Sequence, residues 1–143
     1  MSHTVLCAVD ISDHGRDLRV IQQAARLAAL DEAQLDIITV MPDFGMSVVG
    51  GYFDKGHQKA ALSKTKKELH SLVEEALGAA SSVKVRHVVA IGNAYEEILK
   101  VSKADNADLI VIGAHKPDFK DFLLGPNAAR VVRHSTCSVH VVR

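Results

Sequence analysis

The chain has 143 residues, enough for one domain that buries roughly 70% of its unfolded surface, so it needs no disulfide or metal staple. Its 17 basic and 17 acidic residues cancel and are scattered, leaving no basic stripe for a phosphate backbone; nucleic acid is not expected as a partner. No run approaches the ~20 apolar residues of a membrane span, and no basic region followed by an apolar segment opens the chain, so a soluble cytoplasmic protein without membrane contact is expected.

Thr4 to Asp10 (TVLCAVD) is a continuous apolar run ending in an acid, the pattern of a strand buried on both faces. From Asp13 to Leu30, Leu18, Ile21, Ala24, Ala25 and Ala28 recur at helical spacing, with Ser12 or Asp13 available as a cap. Gln34 to Val40 reads as a second strand stopped by Pro42, and Asp43 to Gly56 shows neither period and reads as a loop. Within it, Phe44 to Phe53 suits a lid, a partner contact or a plain surface loop. A long helix with one exposed side follows from His57 to Ala80, its apolar stripe made by Leu62, Leu69, Leu72, Val73, Ala76 and Leu77.

Val83 to Ala90 alternates at first, as an edge strand with one wet face does, and Gly92 closes it. Asn93 and Glu96 have the spacing of a capping box for the helix carrying Tyr95, Ile98 and Leu99. Asp108 to Gly113 (DLIVIG) is the most apolar strand and is expected at the centre. Gly125 and Pro126 open the last helix, with proline in the first turn, where a missing N–H costs least. Ser138 to Arg143 is the fifth strand. Strand and helix alternate throughout, which predicts a single α/β domain spanning 1–143: an open, doubly wound, Rossmann-like sheet of five parallel strands in the order 3-2-1-4-5, with helices on both faces.

That order reverses direction between strands one and four, where loops part and leave a crevice at the strand C-termini. The crevice would bring Ala8 to Asp13 against Gly113 to Asn127. The second of these segments suits phosphate binding. Gly113 permits close backbone approach, the amides around Gly125 to Asn127 begin a helix, and Lys116 adds a cation. The same glycines also serve a structural turn and a helix cap.

VLCAVD ending at Asp10, DLIVIG ending at Gly113, the GAHK and LLG segments that follow, and the terminal VHVV strand together resemble the universal stress protein family, over essentially the whole chain. The ATP-binding branch of that family carries Gly, two residues, Gly, nine residues, Gly and then Ser or Thr. Here Gly113 matches the first glycine and Gly125 the last. Lys116 stands at the middle position with eight residues before Gly125, and Pro126 replaces the hydroxyl residue. A basic middle residue is similar to the enterobacterial F and G type. Pro126 removes a hydroxyl and a backbone donor, Lys116 restores attraction as a point charge, and Asn127 keeps an amide.

The resemblance implies an ATP-binding regulatory module of the stress response. Ala8, Val9 and Asp10 would lie beside ribose and adenine, with Val40 against the adenine. Gly113, His115, Lys116, Gly125, Pro126 and Asn127 would surround the phosphates, and Mg²⁺ would bridge phosphate oxygens to solvent. Asp10 also suits a loop or helix cap, and His115 packing beneath its loop. No catalytic motif is present, so enzymatic action is limited to slow ATP hydrolysis. The apolar C-terminal strand, with Val139, Val141 and Val142, is expected to pair with a second copy as a homodimer, which also stands as a nucleotide-independent alternative. The protein partner and the stress it answers are not encoded in any motif. Cys7 and Cys137 fit neither a disulfide framework nor a zinc spacing, and the eight histidines form no i, i+4 pair.

Overall fold

The computed structural model describes residues 3–11, 17–42, 55–78, 83–114 and 126–143. Five strands, β1 (Thr4–Ala8), β2 (Gln34–Met41), β3 (Val85–Ile91), β4 (Leu109–Gly113) and β5 (Ser138–Val142), alternate with four helices, α1 (Asp17–Leu30), α2 (Lys55–Leu77), α3 (Ala94–Ala104) and α4 (Pro126–His134). All pairings are parallel and the order is β3-β2-β1-β4-β5, the order expected from the sequence. The middle strand is β1; β4, the most apolar, lies between it and the β5 edge.

Strand side chains alternate between two layers. Val5, Cys7, Leu35, Ile37 and Val111 pack with Val20, Ile21, Ala24 and Ala28 of α1 and with Leu69, Leu72 and Val73 of α2. Leu6, Ala8, Ile38, Ile110 and Ile112 pack with Ile98 of α3 and Ala128 and Val131 of α4. The alanines of α1 bring its axis close to the strands, and each large side chain excluded from water contributes about 1.5–3 kcal/mol.

Several boundaries differ from the sequence reading for local reasons. β1 stops at Ala8, and Asp10 lies beyond it, exposed. Asn93 does occupy the N-cap of α3 with extended backbone, but its side chain makes no capping hydrogen bond. Instead Glu97 folds back over Gly92, whose φ of 142° favours glycine; a Cβ there would stand 3.0 Å from Glu97 Oε1. α2 begins at Lys55, inside the stretch to Gly56 that reads as a loop; residues 43–54, with the Phe44 to Phe53 stretch, lie outside the described residues, as do Ser12 and Asp13.

On the α1–α2 side, the rings of His70 and His87 stack with centroids 3.5 Å apart. Burial, then the neighbouring His70 and Lys66, push the His87 pKa below its ordinary 6.5. The unfolded chain therefore takes up this proton first, and the His87 contribution, complete above pH 6.5, is lost as pH falls toward the folded-state value.

Truncating Leu72, 1% exposed beneath α2, to alanine is expected to cost about 2–5 kcal/mol, read as a lower urea midpoint at unchanged m-value. A loss under ~1 kcal/mol would mean that α2 is not packed as described.

Candidate functional site

The sheet reverses direction at β1, whose two neighbours are β2 and β4. Ala8, the last residue of β1, pairs with Ile112, and β4 ends one residue later at Gly113, so the two strands end side by side. α1 covers one face of the sheet and α4 the other, so the chain leaves these two strands toward opposite faces. A crevice at the strand C-termini follows.

Ala8 and Val9 are buried, and the Val9 N–H donates to Ile38 O at 2.9 Å. Asp10 is exposed at the rim. Ala8 pairs with Ile38, and β2 continues to Met41, so the half-buried Val40 stands above the end of β1 as a side wall. Gly113 closes β4, paired with Val142. A Cβ on Gly113 would lie 3.3 Å from Val20 Cγ2 and 3.9 Å from Asp17 Oδ1, so any larger residue there presses on α1. Pro126 and Asn127 are exposed as the first residues of α4. The first turn of α4 holds no acidic residue and its last turn holds Arg133 and His134, so its positive N-terminal end is left uncompensated within the helix. Ala128 of that first turn belongs to the same cluster as Ala8 and Ile112, at the same end of the sheet. His115, Lys116 and Gly125 lie outside the described residues. Among the described residues, Ala8, Val9, Asp10, Val40 and Gly113 come together at the strand ends.

The sequence reading missed Asp17. From the first turn of α1 its carboxylate accepts the Asp10 N–H, and it also stands beside Gly113. One side chain thus ties the loop after β1 to the start of α1 and touches the end of β4. Its charge adds to burial in pushing the Cys7 thiol far above its ordinary value. An acid in a first helical turn was the available signal, but which first-turn acid reaches the strand depends on the rotation of α1. Among the described residues no cluster of three or more histidine, cysteine, aspartate or glutamate side chains is placed to hold a metal ion. No helix of the described residues is long and apolar enough to cross a membrane.

Replacing Asp17 with alanine is expected to cost about 1–3 kcal/mol and to speed hydrogen exchange at the Asp10 amide at least ~tenfold, since a bond to a charged acceptor is lost. Unchanged exchange would mean that Asp17 does not hold the rim.

Comparison with known proteins gives one consistent answer. The sequence profile of the Universal stress protein family matches residues 1–143. Universal stress protein G of Escherichia coli O157:H7 is 27% identical over 150 aligned positions, covering 100% of both chains, in line with the enterobacterial branch suggested by Lys116. Among solved structures, a universal stress protein in complex with cAMP is 24% identical with a TM-score of 0.72, covering 99% of this chain and 97% of that one. A universal stress protein from Archaeoglobus fulgidus in complex with dAMP is 18% identical with a TM-score of 0.67, covering 99% and 98%. The strand order, the whole-length profile match and these relatives agree, and the chain belongs to the Universal stress protein family.

Proposed function

We propose that this protein binds an adenine nucleotide, ATP in the first place, in the crevice above β1 and β4, and that it acts as a regulatory module of the stress response. The supporting observation is the coincident ending of those two strands beside Asp10 and Gly113, walled by Val40. The complexes with cAMP and dAMP are those relatives' own, and they support an adenine nucleotide as the class of ligand. We read all 143 residues as one cytoplasmic domain serving this site.

In this reading the backbone of Ala8 and Val9 holds the adenine against Val40, and Asp10 accepts from a ribose hydroxyl. Asp10 and Asp17 make this rim acidic, which suits hydroxyls and repels phosphates. The phosphates therefore extend to the other side, toward Gly113, the first turn of α4 with Pro126 and Asn127, and the cationic Lys116, with His115 and Gly125 beside them. Mg²⁺ bound to the phosphates would neutralise their charge, with phosphate and solvent oxygens as its ligands. Nucleotide regulates by differential affinity: in binding it changes the order of the 41–56 and 114–124 segments, and so alters a partner surface.

The decisive measurement is mass spectrometry of nucleotide released from denatured purified protein, with calorimetry of the stripped chain. Saturable heat with ATP is expected, weakened by about tenfold or more in Asp10→Ala through loss of a charge-assisted hydrogen bond. No released nucleotide and no heat with ATP, AMP or cAMP would reject the reading. Repeated phosphate release per protomer, abolished in Asp10→Ala, would make the protein a slow ATPase instead.

The β5 edge favours a second, compatible reading, a homodimer through the C-terminal strand. Val139, Val141 and Val142 are only partly buried on a strand whose one sheet neighbour among the described residues is β4. Sedimentation at micromolar concentration is expected to give a dimer, with or without ATP. A monomer under both conditions removes this reading.

A further inference from the structure

At the opposite end of the sheet, Thr4, Gln34, Asp36, Arg86, Ala104 and Asp105 line an open cleft of about 550 Å³. Asp36 enters it from β2 and is only 2% exposed. Its Oδ1 is buried without a hydrogen-bond partner, and its Oδ2 lies 3.8 Å from Arg86 Nε, an ion-pair distance too long for a hydrogen bond. Arg86 is committed elsewhere: its Nη2 donates to both carboxylate oxygens of Asp105, at 3.1 and 3.2 Å. One guanidinium therefore faces two carboxylates, and the more deeply buried one has the poorer contact. Asp105 lines the same cleft and faces the same guanidinium as Asp36, yet two ionised carboxylates offer each other only acceptors. A single proton turns that repulsive contact into an O–H···O⁻ bond and supplies what the buried oxygen lacks.

Among the described residues, the remaining surroundings supply no second cation. In register with Asp36, β1 presents Leu6 and β3 presents Arg86, while Thr4 of β1 and Gln34 of β2 are neutral. The contact of His3 Nδ1 with Asp108 Oδ2, 3.4 Å, belongs to the neighbouring strand ends, where the Thr4 N–H donates to the same oxygen. Lys84 and Lys103, each two residues before Arg86 and Asp105, are exposed.

We infer that Asp36 and Asp105 share one proton beneath Arg86, forming a latch that fastens the C-terminal end of α3 to β2 and β3 when protonated and loosens when the proton leaves.

Burial, assisted by the hydrogen bond and charge of Asp105 and opposed by Arg86 and Gln34, moves the Asp36 pKa from 3.8 to about 6. Between those values the folded chain holds a proton that the unfolded chain has released. The stabilisation is complete below pH 3.8 and is lost as pH rises through about 6. Acid tightens this joint, whereas it weakens the packing at His87.

The test compares the full chain with its Asp36→Asn and Asp105→Asn variants, by urea unfolding from pH 4 to 8 and by infrared spectroscopy of ¹³C-labelled aspartate. Asp36→Asn is expected to raise the folding equilibrium constant at pH 8 by about ten- to a hundredfold, a gain that closes toward pH 4. Differencing against the parent cancels the His87 contribution. The parent is expected to show a protonated-carboxyl band at pH 5 that fades near pH 6 and is missing in Asp36→Asn. In Asp105→Asn, where Arg86 is free to pair with Asp36, the band should fade at a lower pH. Parallel stability profiles, or a parent band already gone at pH 5, would overturn the latch. So would stabilisation of the parent by putrescine at pH 8 without any protonated band, which would assign the cleft to an organic cation. If neither variant folds, the parent's band decides by itself.

Discussion

The structure depends on burying β1 on both faces at once. A parallel strand between two others, roofed by helices above and below, has no wet side, so each successive residue from Val5 to Ala8 must be apolar and must fit a different layer. Val5 and Cys7 face α1 and α2; Leu6 and Ala8 face α3 and α4. A shift of one residue would exchange the layers for the whole strand, so the pairing of β1 with β2 and β4 is strongly specified.

This register also sets the candidate site. Because β1 and β4 end together while β2 runs on to Met41, the sheet has a step at its centre, and polar groups gather where the apolar run ends. Asp10 and Asp17 occupy that rim. At the other end the same register does something different. It sets Arg86 beside Asp36, so a carboxylate on an otherwise apolar face gains an imperfect partner. The two ends of the sheet thus handle charge differently, with acids on an open rim at one and a crowded buried carboxylate at the other.

Much of this was legible in the sequence because the controlling signals are local. Continuous apolar runs marked the inner strands, the alternating start of β3 marked an edge, and proline at the start of α4 marked a helix N-terminus. The parallel sheet followed from the alternation of elements, and the family from the residues around Asp10 and Gly113. The unread features are those made by juxtaposition. Asp17 reaches the Asp10 amide because of how α1 rolls on the sheet, and Asp36 and Asp105, 69 residues apart in sequence, share Arg86 because β2, β3 and α3 converge. The Asn93 to Glu96 spacing misled for a related reason: Glu97, one residue later, is the acid that folds back over Gly92.

Cys7 carries a further consequence. Its sulfur sits in the middle of the central strand, fully enclosed, with burial and the Asp17 charge both opposing the thiolate that alkylating agents and peroxides require. Modification of this thiol therefore waits until the sheet parts, while Cys137, flanked by Ser102 and Ser135, is already partly exposed in the folded chain. The chain carries a built-in clock: the rate at which Cys7 is labelled reports how often its core opens, with Cys137 as the internal reference for reagent reactivity.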